Sequence, residues 1–158
     1  MPKLIQSLRR SFDQIDRVIA GWMRENGTRL LRISLGIIFV WFGALKFFDG
    51  MSPAESLVRR TVYWMDPDLF IPILGGWEVL IGLGLLYRPA IRAAIFLLFA
   101  QMPGTLLPLF LLPEVCFTIM PVGLTLEGQY IIKNLVLISA ALVVGGTVRS
   151  DIRESRPA

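Results

Sequence analysis

The chain has 158 residues, 54% of them hydrophobic and 18% charged, with a mean hydropathy of +0.63. An ordinary soluble domain carries about 25% charged residues, so a water-soluble globule, a disordered chain and a collagen-like fibre are excluded, and the length allows one domain. With no His and a single Cys (Cys116), the chain alone cannot assemble a zinc site, a His-ligated haem or a dithiol pair.

Residues 1–28 come first. Leu4, Leu8, Phe12, Ile15, Ile19 and Trp22 recur at three- and four-residue steps, with Arg9, Asp13, Asp16, Arg17 and Arg24 elsewhere on the wheel. This pattern predicts an amphipathic helix lying in the cytoplasmic interface; docking on a soluble partner is the alternative. Arg9-Arg10 resembles the start of a twin-arginine signal, but Asp13, Asp16 and Arg17 interrupt the apolar core that an export signal needs.

A helix crossing the hydrocarbon needs about 20 mostly apolar residues. Four stretches of the domain at 29–148 qualify, at about 30–48, 70–87, 90–112 and 128–147. They are too long for the strands of a membrane barrel, which alternate over about ten residues each. The expected fold is an all-α membrane protein: a four-helix bundle, an N-terminal interfacial helix, and a short helix on the outer surface between the first two spans. Val58, Val62 and Met65 mark that short helix, with Tyr63 and Trp64 at headgroup level. Residues 149–158 form a tail.

The net charge of +4 is explained by where the cations sit. Lys3, Arg9, Arg10, Arg17, Arg24, Arg29, Arg32, Arg88, Arg92, Arg149, Arg153 and Arg156 fall on one side of the four spans, against Arg59 and Arg60 on the other. Positive flanks stay cytoplasmic, which predicts both termini inside. The cations act as topology determinants and lipid-headgroup partners, and no nucleic-acid-reading motif accompanies them.

Ionisable groups inside a span cost about 2.5–3.5 kcal/mol each, so they mark a pairing or a function. Three occur here: Lys46, Glu78 and Lys133, with Gln101 as an uncharged fourth. At a rise of about 1.5 Å per residue their depths from the outer surface are roughly 3, 12, 8 and 16 Å. Each span therefore brings one polar group into the outer half of the bundle. Gly36 and Gly43, Gly75 and Gly82, and Ala94 and Gly104 flank them and let helices approach. Pro103 and Pro108 break the third span beside Gln101. The expectation is a narrow polar cavity opening outward, with Glu78 paired to Lys133 and Lys46 closing the mouth. Lys46, Glu78, Gln101 and Lys133 are the ligand-binding or proton-relay candidates, and Trp41, Glu127 and Asn134 are secondary. The alternatives are a bundle-locking bridge for Glu78, snorkelling for Lys46, an exposed cap for Glu127 and plain packing for Trp41. No metal site and no catalytic residue is assigned.

The stretches RISLGIIFVWFGALKF, GGWEVLIGLGLL and YIIKNLVLISAALVV resemble the YkgB-like (RclC-like) inner-membrane proteins, within the broader DoxX-like group. In that resemblance Lys46 matches the Lys of the W-x-G-x-x-K-F stretch, Glu78 the Glu of x-E-V-x-x-G, and Lys133 the Lys opening the last span. Where the resemblance implies an acidic residue after that Lys, this chain has Asn134. The likeness implies a bacterial inner-membrane protein of four helices, linked to oxidative or chlorine stress and to quinone-dependent chemistry. Three functions follow in order: a redox-associated accessory subunit holding a small molecule such as a quinone, a non-catalytic scaffold, and a proton or small-anion transporter. The first is an accessory subunit rather than a stand-alone enzyme, with no intrinsic cofactor. Its partners would be the lipid bilayer, a membrane or soluble oxidoreductase, and further copies of the chain.

Overall fold

The computed structural model describes the backbone of residues 2–154 and the side chains of residues 12–147. The side chains of Leu4, Leu8 and Arg9, and those of the tail at 149–158, lie outside the described residues. Four segments are long and apolar enough to cross a membrane: Phe12–Leu45, Pro67–Leu86, Arg88–Leu111 and Leu126–Thr147. This is a multi-pass, predominantly helical membrane protein.

The first helix, α1 (Pro2–Leu45), joins the amphipathic segment and the first span without a break at residues 28 and 29. The short helix α2 (Glu55–Thr61) follows; it buries Leu57 and Thr61 rather than the expected Val58, and it ends before Val62, which is buried, and Met65, which is exposed. Helix α3 (Pro67–Leu86) starts where Asp66 accepts the Asp68 N–H and Pro67 occupies the first turn, where its missing N–H costs nothing.

A 3₁₀ turn (Arg88–Ala90) leads to α4 (Ile91–Leu106). Pro103 does not break this helix. The interruption falls at Leu107, directly before Pro108, which opens the single turn α5 (Pro108–Leu111). Another single turn, α6 (Pro113–Cys116), leads into an antiparallel hairpin of β1 (Phe117–Ile119) and β2 (Gly123–Leu124). Thr125 then caps α7 (Leu126–Ile132), accepting from the Gly128 N–H while its hydroxyl donates to the Val115 carbonyl. The fourth span pauses at Lys133 and resumes as α8 (Asn134–Glu154).

The spans close into a ring: α3 packs on α1 and α4, and α8 packs on the same two helices from the other side. The closest approach is between α1 and α3. A Cβ placed on Gly82 would stand 2.6 Å from the Gly36 carbonyl, and one on Gly75 would stand 2.7 Å from the Gly43 carbonyl. The two glycine pairs share a seven-residue spacing and let the backbones touch. At the cytoplasmic-predicted end, Arg32 donates to the carbonyls of Leu85 and Leu86, satisfying the last turn of α3 with a cation.

One core cluster, including Leu35, Phe39, Ile81, Leu85, Leu98 and Val144, fills the half of the ring nearer Arg32. A second, built on Leu57, Cys116 and Ile131, forms a cap from α2, α6 and α7 at the opposite end. The space between the two clusters holds the polar residues.

Candidate functional site

Helix α1 ends at Leu45, and the Lys46 N–H donates to the Gly43 carbonyl as the chain turns. That turn lays Lys46 against α3 over Gly75, where a Cβ would stand 2.9 Å from the Lys46 Cβ. Glu78, one turn along α3 from Gly75, is then in direct reach. Lys46 Nζ lies 2.6 Å from Glu78 Oε2 and 3.4 Å from the Phe42 carbonyl. Gln101, from α4, donates its Nε2 to Glu78 Oε1 at 2.8 Å. Lys46 and Glu78 are only 6% and 8% exposed, a burial that is tolerable because both carboxylate oxygens are occupied by a cation and an amide.

This corrects the expected pairing. Glu78 bridges to Lys46 rather than to Lys133, and Lys46 is an internal partner rather than a lid at the mouth or a snorkelling group. Lys133 is held differently. Its Nζ sits 3.3 Å from the centroid of the Tyr130 ring and 5.2 Å from that of Phe42, and those two rings meet edge to face at 6.3 Å. The aromatic faces offer a cation–π seat, and among the described residues no carboxylate forms an ion pair with Lys133. Tyr130 escaped the sequence reading. The signal was present, since a Tyr three residues before a Lys on one helix places a ring beside the ammonium.

The space beside these groups is a cavity of about 720 Å³. Its lining includes Lys46, Glu78, Gln101, Lys133 and Asn134, so the four candidate residues and one secondary candidate share a single site. Most of the wall is apolar, with Phe39, Phe42, Ile73, Trp77, Tyr130 and Leu137 from four of the helices. A narrow polar slot is therefore replaced by a wide, mainly apolar chamber carrying one polar patch. Gly104 lines it with no atom within 4 Å of a Cβ built there, so this glycine widens the chamber and does not bring helices together. Ala94 instead packs closely on Gly84.

The remaining secondary candidates lie elsewhere. Trp41 is 66% exposed and is not part of the wall, because its helical phase points away from the ring. Glu127 sits in the first turn of α7, outside the cavity lining. Gln101 Oε1 is buried without a hydrogen-bond partner, the one unsatisfied group of the polar patch among the described residues. No cluster of three His, Cys, Asp or Glu side chains forms among the described residues.

Neither a family model, nor a curated protein, nor a solved structure matches this chain. The function therefore has to be argued from the chamber and its charges.

Proposed function

We propose that this chain is a bacterial inner-membrane protein of the YkgB-like and DoxX-like kind, both termini cytoplasmic, that serves as a redox- or oxidative-stress-associated accessory subunit. In this reading the chamber holds a lipid-soluble small molecule of the quinone class. The observation that carries it is the contrast inside the chamber: apolar and aromatic walls enclosing a Lys133 that no carboxylate among the described residues neutralises. Ligand sites of about 300–1,000 Å³ combine largely apolar walls with a few placed polar groups in this way. The Lys133 ammonium suits a carbonyl or anionic oxygen on the ligand's head, while Phe42 and Tyr130 present ring surface to its body. Electrons would come from a partner oxidoreductase, and the chain's own residues would bind and orient.

The scaffold reading draws on a different observation. Lys46, Glu78 and Gln101 engage one another, as a bundle-locking network would. A transporter ranks third, because four helices without inverted repeats make a poor alternating-access carrier unless copies assemble.

Native mass spectrometry from lipid nanodiscs, with decyl-ubiquinone added, separates the first two readings. Ligand binding predicts a bound quinone that Lys133→Met and Gly104→Leu each weaken while thermal stability is retained. Binding that is absent, or indifferent to both substitutions, removes the quinone-site reading and leaves the scaffold. Orientation has its own test. In a Cys116→Ser background, Val122→Cys should react with an impermeant maleimide from outside intact cells and Ser150→Cys should not; the reverse pattern inverts the topology.

A further inference from the structure

The bond from Arg32 to the end of α3 sets a level in the molecule. Below it, α1 runs on as an unbroken helix, and residues 12–28 project about 25 Å past the last turn of α3. Phe12, Ile15, Ile19, Trp22 and Met23 on this stalk are each more than half exposed, and at 3.6 residues per turn they fall within an arc of about 100°. The same strip continues into the membrane as Leu30, Ile37 and Trp41, also exposed. From Phe12 to Trp41 it is about 44 Å long, whereas the hydrocarbon is about 30 Å thick. Lipid tails can cover only the upper part.

Two features speak against the membrane surface as the cover for the rest. A stalk lying flat would have to bend near residue 28, where α1 is continuous. Within residues 12–28 Asp13, Asp16 and Glu25 outnumber Arg17 and Arg24, so this stretch by itself gives anionic headgroups no net attraction, the cations Lys3, Arg9, Arg10 and Arg29 lying beyond its ends.

We propose that this strip is the contact between two copies of the chain, α1 against α1, related by a two-fold axis along the membrane normal. Phe12, Ile15, Ile19, Trp22 and Asn26 step by three, four, three and four residues, the seam of a parallel coiled coil. Two copies inserted the same way present their α1 helices in parallel, and the same patch serves both partners. A partner must itself carry a membrane helix that runs on past the bilayer with a matching apolar strip, and α1 meets that description. Asn26, whose Nδ2 donates to the Trp22 carbonyl at 3.0 Å in the single chain, falls at a seam position where on turning outward it meets its own copy, and paired amides there fix the register and favour two strands. With Val18, six large side chains of the stalk contribute on the order of 100 Å² each, so two copies bury roughly 1,200 Å², enough for a specific contact. The contact is independent of what the chamber binds.

The test is oxidative cross-linking of the full-length protein in bilayers, with Cys116→Ser as the background. Ile15→Cys and Ile19→Cys should give disulfide-linked dimers several-fold more efficiently than Arg17→Cys and Ala20→Cys on the opposite face. Ile19→Glu should turn a dimer into a monomer by native mass spectrometry without changing the thermal stability of the bundle, because Ile19 is 52% exposed and belongs to neither core cluster among the described residues. Equal cross-linking on both faces, or a monomer throughout, overturns the proposal. A fluorophore on Ile19→Cys that brominated lipids quench in a monomeric protein overturns it as well, and assigns the strip to the membrane.

Discussion

Replacing Glu78 by Gln removes the charge that compensates Lys46 while keeping an amide oxygen for Gln101 to donate to. In the folded protein the Lys46 ammonium would then retain only the Phe42 carbonyl, at 3.4 Å, inside a site 6% exposed. Breaking a buried ion pair from one side costs about 3–5 kcal/mol, most of it the uncompensated charge. Lys46→Met alone should cost a similar amount, since it strands Glu78. The double variant Lys46→Met, Glu78→Gln should return to within about 1 kcal/mol of the parent, because an apolar stem and a satisfied amide carry no stranded charge. The coupling energy from this cycle should therefore be about 5 kcal/mol or more, whereas the Glu78 and Lys133 cycle should give about 1 kcal/mol or less, as these two share no direct bond. Reversible unfolding in bicelles, followed by steric trapping, measures all of these differences. A coupling to Lys133 larger than that to Lys46, or additive single effects in the Lys46 cycle, would refute the assignment of the bridge.

Gly82→Val should cost about 2–3 kcal/mol in the same assay, since its Cβ meets the backbone of Gly36 and Val40 at 2.6 Å and backbone cannot yield; Gly104→Ala, with open space beside it, should stay within about 0.5 kcal/mol. At the capped end, the Gly50 N–H and the Arg59 guanidinium hold the Glu55 carboxyl below its ordinary value. A depressed carboxyl stabilises above its unfolded value and loses that contribution as pH falls through its folded value. The hydrogen-exchange protection factors of residues 50–61, which correct for the intrinsic pH dependence of exchange, should thus hold steady above the carboxyl's unfolded value and fall as the pH drops through its lowered folded value, and Glu55→Gln should abolish the step. Burial pushes the Cys116 thiol up, and its Sγ lies 3.5 Å from the Pro108 carbonyl. Maleimide should therefore leave Cys116 unlabelled at pH 7.5 in the folded protein and label it only on unfolding.

Hydropathy located all four spans because lipid demands about 20 apolar residues whatever their neighbours do. The glycines beside the polar residues mark faces where helices approach, and α1 and α3 do meet at Gly36 and Gly82 and at Gly43 and Gly75, although which two helices they join was not readable from the chain. The common depth of Lys46, Glu78, Gln101 and Lys133 emerged from counting along straight helices, and all four do line one chamber. Their pairing did not emerge, because two of the helices are not straight where it matters. Helix α1 stops at Leu45, so Lys46 turns back toward Glu78, and the fourth span pauses at Lys133, which aims that side chain at Tyr130 and Phe42. Trp41 illustrates a further limit: an aromatic residue's depth is set by the count, but the direction it faces depends on where the neighbouring helix stands. The hairpin at Phe117–Leu124 is too short for periodicity to register.

The glycine contacts between α1 and α3 also make the first helix a lever. Its register is clamped at two points seven residues apart, one of them within a turn of the buried ion pair, and its arm extends about 30 Å beyond Arg32 as far as Phe12. Any torque or tilt applied to the arm is delivered, through one unbroken rod, to the turn that carries Lys46. Inserting a single residue between Trp22 and Arg29 would turn the arm by about 100° while leaving the clamp and the chamber where they are. The arm's angular setting and the bridge at the far end are thus separable in construction yet joined in motion.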